Sequence, residues 1–363
     1  LFILALPMIL SNITAPLLGL VDTAVIGHLE YAYYLGGSTV GAMLITAITW
    51  LCGFLRMSTT GLSAQAFGKN DNELNSLILL RGIIVAFTIG FTVIALQVFY
   101  LDFALSLAGG SQQVQFYARE YSAIRIWGLP AALANLVILG WLLGNHKAKI
   151  VLWSIVTTNL INLLLDLLFV IGFGWQVKGV ATATLIAEYS GLVIGLTLIV
   201  AHFKQKIVGL FTSTQHLIER TFEKSALLSY FKLNRDILIR TLCLEVCFIF
   251  MTFQGARLGG QYFISTISSI PEVVEYAQQH MFWIIALPLL ACWCYLFDGV
   301  YVGLMQAAVM RNSMLIATFG CFFPVWWLLK DYENHGLWAA FSVFMLARGL
   351  TLAWHYQRHR YAF

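Results

Sequence analysis

A series of apolar runs, too long and too continuous for a soluble core, fixes what this chain can be. They fall at about 1–27, 36–66, 76–107, 116–144, 149–173, 179–203, 235–258, 281–306, 313–329 and 337–354. A helix crossing the hydrocarbon layer needs roughly 20 apolar residues, so ten crossings are expected. Barrel strands alternate polar and apolar residues over roughly ten positions, whereas these runs are apolar throughout. That leaves an all-α polytopic bundle as the way to satisfy the backbone in lipid. The chain is 60% hydrophobic and only 10% charged, against about 25% charged for a soluble domain. This balance excludes a soluble enzyme, a disordered chain and a nucleic-acid binder. The sequence has six cysteines without a CxxC pair, which read as small buried apolar side chains. No nucleophile constellation, metal-ligand spacing or phosphate loop is present, so neither catalysis, a cofactor nor drive by ATP is expected. Leu1 lies already inside an apolar run with no basic lead, which reads as a clipped N-terminus.

Sidedness follows from the basic residues of the short loops. Those after the second, fourth and sixth runs carry Lys69, then Lys147 and Lys149, then Lys204, Lys206, Arg220, Lys224 and Lys232. Those after the first, third and fifth carry only Arg119 and Lys178. Eight against two places the former loops, and both termini, in the cytoplasm of an inner-membrane protein. The longest polar connection, 204–234, reads as the joint between an N-lobe at 1–203 and a C-lobe at 235–363. A weak repeat supports two lobes. WLLGNHKAKIVLWSIVTTN followed by KGVATATLIAEYSGL parallels VGLMQAAVMRNSMLIATFG followed by HGLWAAFSVFMLARGL. Repeats of this kind mark secondary transporters, with substrate and ion sites between or within the halves.

An ionisable side chain near mid-bilayer costs at least about 2.5–3.5 kcal/mol, so those that persist are candidates for function. The acids are Asp22, Asp166, Glu188, Glu245 and Asp298; the bases are Arg56, Arg125, Arg240 and Arg257. Asp22 follows Pro16 by six residues, and a proline kink frees carbonyls beside a carboxylate. A plain carboxylate at a helix end is the alternative. Asn162 and Asp166 are spaced i,i+4, as are Thr184 and Glu188 on the next run, so each pair shares a helix face. Together they read as a buried polar cluster holding exchangeable protons, or as interhelical glue. Glu245 and Asp298 form either a second ion site or structural pairs with Arg240 or Arg257. Arg56 and Arg125 either snorkel or pair with an acid.

The segments LALPMILSNITAPLLGLVDTAVIGHL, FLRMSTTGLSAQAFG, WGLPAALANLVILGWLLG and WCYLFDGVYVG resemble the MATE family of multidrug and toxin extrusion antiporters, in its DinF-type bacterial branch. The resemblance implies two six-helix lobes around a cleft and cation-coupled efflux of amphipathic, often cationic compounds by alternating access. It implies a proton as coupling ion, with sodium as the alternative, and a small organic substrate carried by a monomer in the bilayer. By motif, Asp22 matches the first-helix acid with Pro16 at the bend. Asn162, Asp166 and Thr184 match polar residues of the first-lobe cavity, and Asn135 the helix-four asparagine; Glu188 joins them by spacing. Asp298 matches a helix-ten acid and Glu245 the helix-seven acid of a sibling branch. One departure stands out: after EVCFIFMTFQGARLG the chain runs directly into GGQYFISTISSIPEVVEYAQQH. Helices eight and nine of the family's about twelve are therefore expected to be missing, with the join near Gly259 and Gly260. Two further readings stay open: a flippase-like exporter of a lipid-linked precursor, and an inactive truncated paralogue.

Overall fold

The computed structural model describes residues 31–108, 111–208, 219–265 and 281–359. Asp22 and Pro16 lie outside the described residues, as do the side chains of Glu245 and Arg257. The chain divides into two compact units, Leu1–Leu227 and Leu228–Phe363.

In the first unit, α1 (Ala32–Leu51), α2 (Phe54–Gly68), α3 (Asn72–Ala95), α4 (Gln97–Ala108), α5 (Gln112–Arg125), α6 (Leu129–Gly144), α7 (Ala148–Asp166) and α8 (Gln176–Val208) follow in order. The second unit holds most of α9 (Lys224–Ser265), then α10 (Met281–Gly303), α11 (Ala307–Leu315), α12 (Phe323–Leu328) and α13 (Glu333–His359). Two π-helical segments interrupt this pattern, Leu167–Gly172 after α7 and Ile316–Phe322 after α11. Among the described residues, seven helices are long and apolar enough to cross a membrane. The first apolar run falls outside the described residues, and the runs at 235–258 and 281–306 lie within α9 and α10. The polar joint 204–234 is more helical than a loop, because α8 continues to Val208 and α9 begins at Lys224. Its amphipathic spacing lets a helix outlast the apolar run.

The helix ends are written locally. Asn70, His146 and Met305 have left-handed φ of 56°, 59° and 57°, and each closes its helix in the same way. His146 N donates to Leu143 O and Lys147 N to Leu142 O, while Met305 N donates to Val302 O and Gln306 N to Tyr301 O. This is the bond pattern that ends a helix with a left-handed residue. On the opposite ends, Gln176 (φ 49°) and Glu333 (φ 50°) each precede a glycine, Gly179 or Gly336, by three residues. The repeat seen in the sequence is thus a repeat of backbone turns.

Helix α6 is the axis of the first unit: Leu129, Leu133, Val137, Ile138, Trp141 and Leu142 are all buried. Two glycines let α2 reach its backbone. A Cβ on Gly140 would stand 2.6 Å from Arg56 O, and one on Gly144 2.7 Å from Thr60 O, the close approach that small residues permit between membrane helices. Beside them a closed polar triangle ties α2, α3 and the end of α6. Ser63 Oγ donates to Asn75 Oδ1 (2.8 Å), Asn75 Nδ2 to Asn145 Oδ1 (2.6 Å) and Asn145 Nδ2 to Ser63 Oγ (2.8 Å). Trp141 Nε1 completes it through Asn75 O at 2.8 Å. Gly144→Val should therefore destabilise the unit by about 1–3 kcal/mol through overpacking. Thermal unfolding in detergent measures it, and an unchanged midpoint would show that the helices can part freely.

Candidate functional site

The site grows from two neighbouring helices. Asn162 and Asp166 lie one turn apart on α7 and are 1% and 0% exposed. With the Asn162 amide oriented to satisfy both its ends, Nδ2 donates to Asp166 Oδ2 at 3.1 Å. Its oxygen then lies 3.2 Å from Thr184 N and 3.1 Å from Thr184 Oγ1. The Thr184 hydroxyl also has the Val180 carbonyl at 2.9 Å. The amide thus bridges a wholly buried carboxyl on α7 to a hydroxyl on α8, and α8 is close-packed there: a Cβ on Gly191 would lie 2.8 Å from Thr158 Oγ1.

Glu188 stands apart from these three. It occupies the same face of α8 as Thr184 but one turn on, where the neighbour is the end of α5. Its carboxylate pairs with Arg125 through two contacts, 2.8 Å from Nη1 to Oε2 and 2.9 Å from Nη2 to Oε1. Gly128 makes the room: a Cβ there would lie 2.1 Å from Glu188 Oε2. Asn135 joins this corner by its Nδ2, which donates 2.9 Å to the Glu188 backbone oxygen. The structure therefore brings together Asn162, Asp166 and Thr184, and separately Arg125, Glu188 and Asn135.

In the second unit the carboxylate of Asp298 on α10 is shared by two guanidiniums. Arg240 Nη2 on α9 and Arg348 Nη2 on α13 each lie 2.5 Å from its Oδ2. All three side chains are buried. Of the two alternatives read for Asp298, the geometry gives the pairing with Arg240 and adds Arg348, which the sequence reading did not single out. Its signal was an arginine within the last apolar run, LARGL. One turn before Arg240, buried Asp236 takes Arg311 at 2.6 Å and Arg235 at 3.1 Å. The counterparts of Asn162 and Asp166 in the repeat fall within 319–325, FGCFFPV, which holds no carboxylate or basic residue. There Phe319 stacks on Phe323, and Phe322 packs on Phe344.

Residues 7–168 match the MatE family model. DNA damage-inducible protein F of Escherichia coli (strain K12) is 36% identical over 425 aligned positions, spanning 98% of this chain and 91% of that protein. The chain belongs to the MatE family. Among other MatE relatives, Protein DETOXIFICATION 44, chloroplastic, of Arabidopsis thaliana is 27% identical over 51% of this chain and 38% of its own. A solved MATE in the bent conformation superposes with a TM-score of 0.77 at 17% identity, covering 98% of this chain and 94% of its own. A MOP superfamily transporter from Pyrococcus furiosus does so at 0.72 and 15% identity, with the same coverage. This MatE chain is accordingly a multi-pass membrane transporter of the multidrug and toxin extrusion class. Since the chain has 363 residues, 425 aligned positions leave at least 62 positions of the E. coli relative facing a gap. That is about the length of two membrane helices with their loops.

Proposed function

We propose that this transporter exports amphipathic organic cations in exchange for protons, by alternating access, from a bacterial inner membrane with both termini in the cytoplasm. The observation that carries the reading is Asp166, 0% exposed on a membrane-crossing helix and held through Asn162 against Thr184. A carboxylate enclosed in this way carries its charge at high cost, and a bound proton removes that charge from the membrane interior. Protonation and a loaded cavity can then favour different states, which is what coupling requires. The ion-pair geometry of Asp298 supports a scaffold for the second unit in place of a second ion site. Asp22, six residues after Pro16 in the sequence, is the other acid we assign to the coupling step.

The gap of at least 62 positions favours one other reading, a chain that folds and does not transport. Efflux of a fluorescent cationic dye from everted vesicles separates the two. Dye movement driven by a pH gradient, lost with a protonophore and with Asp22→Asn, is the expected result. Movement that follows a sodium gradient instead would overturn the proton assignment. A chain that stays silent until the two absent helices are restored would make the present one an inactive paralogue.

A further inference from the structure

The feature that the transport reading leaves unused is the π segment Leu167–Gly172, which begins at the residue after Asp166. A π segment is an α-helix carrying one surplus residue, and such segments occur mostly at functional sites. Its hydrogen bonds are already divided between registers. Leu167 N–H is shared by Leu163 O and Leu164 O, while Phe173 N donates back five residues to Leu168 O at 3.0 Å.

Building on the coupling role given to Asp166, we propose that this surplus residue is mobile along the helix. Passing N-terminally across position 166, it turns the carboxyl by about 100°, one residue's share of a helical turn, out of its bond with Asn162. The packing supports a shift in that direction. The C-terminal end is pinned: Val170 is buried, and the bare face of Gly179 on α8 lies against it, where a Cβ would meet Val170 Cγ2 at 3.0 Å and Phe169 C at 3.2 Å. The other face is open, since Leu164, Leu167, Leu168 and Ile171 are all exposed among the described residues. Moving a π turn trades five-residue for four-residue bonds one at a time, so few bonds are broken at once. The π segment of the second unit has no acid beside it to respond in this way. Its Ala317, Thr318 and Phe322 are each fully buried beside exposed Ile316 and Phe319, and it contains no carboxylate or basic residue.

On the helices packed against α7, the charged side chains described near Asp166 have partners, while Lys204 and Lys206 stand at the far end of α8, outside the described side chains. On α8, Lys178 lies 3.1 Å from Glu120 and Glu188 2.8 Å from Arg125; α6 carries no charged residue. Among the described residues of α6, α7 and α8, Asp166 is therefore the acid to which the register can respond.

Hydrogen exchange across 163–173 in nanodiscs tests this without any cargo. Exchange corrected for its intrinsic pH dependence should differ several-fold between about pH 6 and about pH 8 in the native chain and in Leu168→Ala. It should become flat when Leu168 is deleted, which removes the surplus residue. If that deletion does not fold, adding an alanine after Leu164 in the same background keeps the length and fixes the surplus residue beyond Asp166. A flat response is again expected there. A flat native chain, or a pH response surviving either variant, overturns the proposal. Proton-driven efflux with flat exchange would remove the register shift alone, whereas pH-dependent exchange without proton-driven efflux would remove the coupling role alone.

Discussion

Asp166→Asn should reduce gradient-driven dye efflux by at least about tenfold while leaving the protein folded. The replacement is isosteric, and an amide oxygen in the place of Oδ2 can still accept from Asn162 Nδ2, now 3.1 Å away. The stability change should therefore stay within about 1 kcal/mol, the net worth of one hydrogen bond. What disappears is the ability to gain and lose charge. Exchange of dye across vesicles without a pH gradient should accordingly persist, because moving the cargo alone does not need the proton. Asp166→Ala makes the contrast: it strands the Asn162 amide in a buried site and should cost about 1–3 kcal/mol besides. An Asp166→Asn protein that still drives efflux on a proton gradient would make the triplet glue between α7 and α8.

Asp298→Asn should destabilise the second unit by roughly 3–5 kcal/mol, the cost of breaking a buried ion pair from one side. Two guanidiniums, Arg240 and Arg348, would lose the carboxylate they share at 2.5 Å and face each other across it. The sign of the coupling is the diagnostic part. Arg348→Met added to Asp298→Asn removes one of the two like charges, so the double variant should be more stable than Asp298→Asn alone. Thermal unfolding of the four proteins in one detergent completes the cycle. Additive losses would mean that water reaches the triad and screens it, contrary to the 1% exposure of Arg348.

Seven of the ten expected spans correspond to described helices long and apolar enough to cross a membrane, and they were legible because continuous apolar runs and their lengths are set by the bilayer. The pair Asn162 and Asp166 was legible because a four-residue spacing fixes a shared face on a helix, while Thr184 joined them through the family resemblance. The same rule misdirected Glu188. Spacing placed it with Thr184, but its partner Arg125 lies 63 residues away on α5, and only the packing of α5 on α8 reveals it. Gly128 was the trace in the sequence, a missing side chain where the Glu188 carboxylate sits. Arg81 was overlooked in an apolar run although it is buried. No residue pattern announced the π segments, because a surplus residue is accommodated by tertiary contacts such as Gly179 against Val170. The extension of α9 back to Lys224 escaped for a related reason: hydropathy marks where lipid ends, and the helix continues past it.

Arg81 reaches from α3 to the polar joint. Its Nε donates 3.0 Å to Thr221 O and its Nη2 2.5 Å to Arg220 O, while Arg220 Nε lies 3.2 Å from Glu73. The stretch just before α9 is thus fastened to the first unit by side chains as well as by the peptide chain. A chain cut between α8 and Arg220 would therefore keep a point of recognition between its two pieces. Arg81, together with the pair of Arg220 and Glu73, would hold the two pieces at that point.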